Sequence, residues 1–277
     1  MEMTLPTLDI LPVKDIVPHE YHDEQRAYPL MERLREHGVL RNPPIVMPFH
    51  DGSGRYMILD GTNRLMAIKM LGIPHIIAQV VEPDAPGVSL RTWNHVVWGI
   101  PSTDLLAALK ESLPGLRPSV SLALSIAALH ERKLLLVLSL PDGRVFSVPA
   151  VSDRPKMLDM LNAAVAAYKG MASFDRTGEH DAQVLKGLYP DISGVVIFPP
   201  FKVHEVQELV AAGHLFPPGI TRFIVAPRAL RVNYPLDALA VDAPLEVKRA
   251  RLQEWLKERL AAKGIRYYAE PTVLYDD

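Results

Sequence analysis

Apolar residues in this chain fall mostly into short runs fenced by Gly, Pro, Asp and Asn, and a smaller number of stretches carry helical spacing. Short apolar runs between turn formers read as strands. The expected strands are Thr7–Val13, Pro44–Met47, Tyr56–Leu59, His75–Val81, Leu134–Leu140, Val145–Val148, Val195–Phe198, Phe223–Ala226, Leu230–Val232 and Tyr267–Leu274. Asp51-Gly-Ser-Gly54 and Asp142-Gly143 supply turn chemistry for two hairpins. Helical spacing appears from Pro29 to Gly38 through Leu30 and Leu34, and from Thr62 to Gly72 through Leu65, Ile68 and Leu71. It appears again in Ser102–Ser112 behind a Ser/Thr cap, in Pro155–Tyr168, and in Val203–Ala212. The stripe Leu158, Leu161, Val165 and Tyr168 is core spacing, not a cofactor box. A last helix is expected behind an Asp242 cap, with Leu245, Leu252, Trp255, Leu256 and Leu260 facing inward. Leu122–Leu129 is a further apolar segment of unassigned type.

Strands and helices mix without strict βαβ alternation, which points to an α+β fold. The Pro83–Gly87 segment is the expected boundary between a first unit, residues 1–87, and a second, mixed α/β unit, residues 88–277. There are no internal repeats, low-complexity stretches or long linkers.

The chemistry concentrates at the end of the Tyr56 strand. Asp60-Gly61 stops the strand and Thr62 opens the helix, so the backbone N–H groups of Gly61, Thr62 and Asn63 stand at a helix N-terminus, where an anion is favoured. Arg64 can add forked donors suited to phosphate. Asp60, an acid beside such a site, makes sense with a metal or a hydroxyl proton close by. The bland alternative has Asp60 as a helix cap and Arg64 as a solvated first-turn side chain. Thr92-Trp93-Asn94-His95 is too polar for a uniform core strand and is either a wall of the site or a satisfied structural cluster. Phe216–Phe223, with Pro217-Pro218-Gly219 in it, is a rigid turn that carries Thr221 and Arg222 and enters the Phe223–Ala226 strand. Arg222 could meet a carboxylate or a helix C-terminus. Glu20, in a loop after Pro18-His19, reads as a surface residue on its own terms.

Composition removes several classes of function. With no cysteine there is no disulfide, thiolate metal site or Cys nucleophile, and the 10 histidines include no zincin-type pair. A net charge of −2 gives no basic footprint for nucleic acid. No apolar run reaches membrane-spanning length and no leader-like segment is present, so a cytoplasmic protein is the expectation.

Taken in order, Pro18-His19-Glu20, Asp60-Gly61-Thr62-Asn63-Arg64, Thr92-Trp93-Asn94-His95 and Pro218–Phe223 resemble a known set. The first third resembles the ParB/sulfiredoxin fold with its DGxxR turn. The whole chain resembles the free L-serine kinases of that superfamily, archaeal ADP-dependent and siderophore-pathway ATP-dependent members among them. The resemblance implies a transferase that moves a phosphoryl group from ATP or ADP to the serine hydroxyl, with Mg²⁺, in siderophore or cysteine biosynthesis. It implies Glu20 as general base, Asp60 as metal support, and Gly61, Thr62, Asn63 and Arg64 as nucleotide-phosphate ligands. It implies Trp93, His95, Thr221 and Arg222 as serine ligands. One departure stands out: relatives usually carry His before the motif Arg, where this chain has Asn63, which can donate to phosphate but cannot be a cation. That departure keeps a second function open, a nucleotide- or amino-acid-sensing regulator that has lost the chemistry. A ParB-like DNA binder is disfavoured by the charge. Partners are therefore expected to be small molecules, with the oligomeric state open.

Overall fold

The computed structural model describes residues 5–22 and 27–268. The first part of the chain runs β1 (Leu8–Pro12), β2 (Ile16–Pro18), α1 (Tyr28–His37), β3 (Val39–Leu40), β4 (Ile45–Pro48), β5 (Tyr56–Asp60), α2 (Thr62–Met70) and β6 (His75–Val80). The middle runs β7 (Val88–Thr92), β8 (Asn94–Trp98), α3 (Ser102–Ser112), β9 (Arg117–Ser119), α4 (Leu122–His130), β10 (Leu134–Ser139), β11 (Val145–Pro149) and α5 (Arg154–Tyr168). The rest runs β12 (Ser173–Thr177), α6 (Ala182–Leu185), β13 (Ile192–Ile197), α7 (Val203–Ala211), β14 (Thr221–Val225), β15 (Tyr234–Pro235), α8 (Leu236–Ala240) and α9 (Leu245–Ala261).

Two sheets organise these elements. A five-stranded mixed sheet has the order β1-β6-β4-β5-β2, and an antiparallel six-stranded sheet has the order β12-β8-β13-β10-β11-β9. Two ribbons, β14 with β7 and β15 with β3, and two isolated bridges, Glu20 with Phe216 and Lys169 with Ala172, complete the pairing among the described residues. The fold is a mixture of helices and strands without βαβ regularity, as the pattern suggested.

Side chains alternate across a strand, so a strand buried on both faces is apolar throughout. β4 and β5 are of this kind. Val46 and Ile58 enter the core beneath Ile10, Leu65, Ile68 and Ile77. Their neighbours Met47, Met57 and Leu59 enter a second core with Leu105, Leu136, Leu161 and Phe216. One strand pair therefore belongs to both cores, and the boundary at residues 83–87 is not a clean cut in packing. Tyr234, Leu236, Leu239 and Leu252 return from the far end of the chain to the first core.

Several local expectations change. Leu122–Leu129 lies within helix α4, capped by Ser121. Leu230–Val232 is not a strand; the pairing comes at Tyr234–Pro235. β14 opens at Thr221, two residues before the expected Phe223, because Thr221 and Arg222 already pair with Thr92 and Arg91 of β7. α3 and α9 start behind Pro101 and Pro244 without a side-chain cap, so neither the Ser/Thr cap nor the Asp242 cap forms. Leu252 is buried, but Leu260 is 48% exposed. Of the expected strand Tyr267–Leu274, Tyr267 and Tyr268 are irregular and the remainder lies outside the described residues. No described helix is long and apolar enough to cross a membrane.

Candidate active site

A cleft of about 1560 Å³ opens between the two sheets. One wall is His19–His22, Asn42 and Leu59–Arg64; the other is Lys169, Phe174–Arg176, Pro218, Gly219 and Thr221, with Arg228 and Asn233 closing an end.

The phosphate-type turn forms as the sequence implied. Gly61 is the N-cap of α2 at φ +97°, a region that disfavours a side chain, and a Cβ there would lie 2.9 Å from both Pro44 and the Arg64 guanidinium. No side chain caps the helix, so its first N–H groups face the cleft without a protein acceptor from a cap. Asp60 is therefore not the cap. Its Oδ2 instead accepts from Arg64 at 3.1 Å and from Arg228. Arg64 also donates to the carbonyls of Asn42 at 2.7 Å and Pro43 at 3.2 Å, which folds its guanidinium back over the turn. Burial works to raise the Asp60 carboxyl, but the charges and hydrogen bonds of Arg64 and Arg228 outweigh it, so the group lies below its ordinary value.

Glu20 is not a solvated loop residue. Its segment is stitched to the other wall: Phe216 N–H donates to His19 O at 2.8 Å, and Tyr21 N–H to Phe216 O at 2.9 Å. Glu20 Oε2 accepts from Gly219 N–H at 2.9 Å, and Oε1 accepts from Thr221 N–H at 3.2 Å and from the Thr221 hydroxyl. His19 bonds the Ile58 carbonyl through Nδ1 at 2.5 Å and Thr221 Oγ1 through Nε2 at 2.7 Å. The Thr221 hydroxyl has one proton. With that proton given to Glu20, Oγ1 is left to accept from His19 Nε2.

Burial alone would raise the Glu20 carboxyl. Hydrogen bonding and charge from His19, then the Thr221 and Gly219 donors, reverse this and lower it from 4.5 to about 2. The sign is that of a depressed acid: the stability it contributes is present above the unfolded value and is lost as pH falls from 4.5 toward 2. A carboxyl ¹³C NMR titration, with Glu20 assigned by substitution, is expected to put its midpoint near 2, separate from the surface glutamates. A midpoint between 4 and 5 would contradict the network.

His95 is wholly buried, 0% exposed, and does not line the cleft. Its Nδ1 meets the Tyr168 hydroxyl at 2.6 Å, its Nε2 meets Gly219 O at 3.3 Å, and its ring stacks on Phe174 at 4.6 Å. Burial lowers its pKa to about 4, so the ring is neutral at pH 7 and Nε2–H donates to Gly219. His95 thus holds the carbonyl of the residue whose N–H holds Glu20. Trp93 and Arg222 do not line the cleft either; the Arg222 guanidinium lies over the Trp93 ring, 4.0 Å from its centroid. Thr221 points at Glu20 while Arg222, next along β14, takes the opposite face.

Two arginines that the sequence left unremarked stand in the cleft instead. Arg176, on β12, brings Nη2 to 4.0 Å from Glu20 Oε2, and its side chain lies where a Cβ on Gly219 would be, 2.6 Å from its Nε. Arg228 reaches Asp60 from the loop after β14. Nothing in a polar strand such as Ser173–Thr177 or in an isolated Pro-Arg step marks either one in advance. Among the described residues no group of three or more His, Asp or Glu forms a metal cage.

No family model matches the chain. Its fold is that of the free serine kinases. A C-terminally truncated SbnI from Staphylococcus aureus superposes with a TM-score of 0.70 at 23% identity, covering 93% of this chain and 97% of that one. A mutant free serine kinase in complex with AMP superposes with a TM-score of 0.70 at 17% identity, covering 86% and 98%. In sequence, the chain is similar to the ATP-dependent L-serine kinase SbnI of Staphylococcus aureus, 26% identical over 277 residues and 97% of each chain. An ATP-dependent L-serine kinase of Staphylothermus marinus is 25% identical over 232 residues, covering 83% of this chain and 90% of the relative. The resemblance to free L-serine kinases therefore extends over nearly the whole chain.

Proposed function

We propose that this protein is an ATP-dependent kinase of free L-serine, forming O-phospho-L-serine. The observation that carries the reading is the pair of features that line one cleft: an uncapped helix N-terminus with Arg64, and the half-buried, ionised Glu20. Phosphoryl transfer asks a protein chiefly to align two substrates and to neutralise the transferred oxygens. The turn Gly61-Thr62-Asn63 with Arg64 is the donor-phosphate side. The 1–87 unit bearing it is the ParB/sulfiredoxin-like part, and the 88–277 unit supplies most of the acceptor side.

Glu20 takes the serine hydroxyl. A carboxylate lowered to about 2 is a weak base, so its role is to orient the hydroxyl and to receive the proton late, as a loose transition state permits. The hydroxyl has to replace one of the donors that Glu20 now holds. His95 acts from behind, through Gly219, and Trp93 with Arg222 steadies β14 rather than meeting the substrate.

Mg²⁺ fits this donor set, since it usually arrives with phosphates and needs only one or two protein carboxylates. Asp60 would hold it, through Oδ1, which neither arginine uses. Bound there, the ion would neutralise charge on the phosphates.

The serine carboxylate must lie within a few bonds of the hydroxyl, hence close to Glu20. Arg176 is the cation at that place and becomes its partner in this reading. Arg176→Ala is expected to raise KM for L-serine roughly 10–100-fold, the scale of a lost charge-assisted pair, with KM for ATP unchanged. Arg222→Ala is expected to lower thermal stability and leave KM for serine within about twofold. The reverse pattern would return the carboxylate to Arg222. The activity itself is tested by following label from γ-³²P-ATP: it should appear in an acid-stable phosphomonoester only when L-serine is present. Nucleotide binding without transfer would favour the sensing regulator, which Asn63, in the place of the usual His, keeps in view.

A further inference from the structure

The loop that follows β14 is held more firmly than a surface ion pair requires. Ala226 N–H donates to Gly87 O at 2.9 Å, and Gly87 packs so closely that a Cβ on it would stand 1.7 Å from the Ala226 carbonyl oxygen. Gln79 is 3% exposed, and its amide spans the next step of the loop: Nε2 donates to Pro227 O at 2.8 Å, and Oε1 accepts from Ala229 N–H at 2.9 Å. Both neighbours of Arg228 are therefore bonded by one buried side chain. Farther along, Arg231 N–H donates to Asn42 Oδ1 at 2.8 Å, and the carbonyl of the same Asn42 accepts from Arg64. The result is a rigid bracket that carries the Arg228 guanidinium across the cleft to Asp60, which Arg64 also grips.

An ion pair in which both side chains are close to half exposed, 43% and 45%, is worth about 0–1 kcal/mol, too little to account for such a bracket. Two guanidiniums and an uncapped helix N-terminus around one carboxylate oxygen leave an excess of positive charge, and the ligand that matches it is an oxyanion with several oxygens. Asn63 adds a donor to this surface but no charge.

We propose that Arg228 is a ligand of the donor nucleotide's terminal phosphate, pairing with Asp60 in the ligand-free protein and turning to a phosphate oxygen when nucleotide binds. It supplies the second cation at the turn and frees Asp60 Oδ2 as it moves. This assignment rests on the proposed kinase reading in one respect, that a nucleotide occupies this cleft.

The test compares affinities for ATP and AMP, by calorimetry with Mg²⁺, in the wild type, Arg228→Gln and Arg228→Lys. The glutamine variant is expected to lose ATP affinity roughly 10–100-fold with AMP affinity and KM for serine within about twofold, which lowers the ATP-to-AMP preference. Lysine, which keeps the charge without the fork, should recover part of it. Unchanged ATP affinity in the glutamine variant, or equal losses for ATP and AMP, would overturn the proposal, the second outcome marking a purely structural residue. If the glutamine variant does not fold, lysine carries the test: ATP affinity and ATP-to-AMP preference equal to wild type would overturn the proposal. A wild type that binds neither nucleotide would instead defeat the kinase reading and this assignment with it.

Discussion

Glu20→Gln is expected to lower turnover of L-serine about 10²–10⁴-fold while ATP affinity stays within about twofold of wild type. The Glu20 carboxylate is bonded to Thr221 and Gly219 and not to the donor-phosphate turn, so its loss should register in chemistry and not in nucleotide binding. Gln keeps an oxygen for one of these donors and turns an amide toward the other, so a modest drop in melting temperature should accompany the loss. Single-turnover kinetics and nucleotide titration on the same sample separate the two. A glutamine variant that turns over serine at the wild-type rate would remove Glu20 from the reaction.

Asp60→Asn is expected to separate binding from catalysis in a different way. Asn preserves shape, but Arg64 and Arg228 lose their anionic partner. Without Mg²⁺, ATP should bind more tightly than to wild type, because a negative charge has been taken away from beside its phosphates. With Mg²⁺, turnover should fall by about 10²-fold or more and respond less steeply to the metal concentration, since the carboxylate that would hold the ion is gone. Because the Arg228 pair is close to half exposed and Arg64 keeps its bonds to the Asn42 and Pro43 carbonyls, the melting temperature should move by only a few degrees. Wild-type turnover with unchanged Mg²⁺ dependence would show that Asp60 serves only to tether the two arginines.

How far the sequence revealed this site follows from the physics of each part. The turn at Asp60–Arg64 was legible because strand, glycine and helix are contiguous, and the chemistry of a helix N-terminus is local. Glu20 was legible only through resemblance, because its partners Gly219 and Thr221 lie 199 and 201 positions away. Thr221 and Arg222 are adjacent in sequence, and the resemblance implies both as serine ligands. With the strand beginning at Thr221 they take opposite faces, and only the first reaches the cleft. For His95 the sequence allows a wall of the site or a structural cluster, and the Tyr168, Gly219 and Phe174 contacts make it a satisfied core residue. Arg176 and Arg228 depend on long-range assembly: one lies on an edge strand too polar to stand out, the other in a loop positioned by a buried glutamine far away in sequence. In the fold, the apolar runs of β4 and β5 revealed strands but not that their two faces serve different cores.

The central claim, phosphoryl transfer to free serine, is tested most directly by ³¹P NMR of the protein with Mg²⁺ and L-serine, in separate samples with ATP and with ADP. The account predicts a new phosphomonoester resonance in the ATP sample that requires serine and is absent from the Glu20→Gln variant. A sample that binds ATP, as shown by shifted nucleotide resonances, yet yields no phosphomonoester with serine would contradict it.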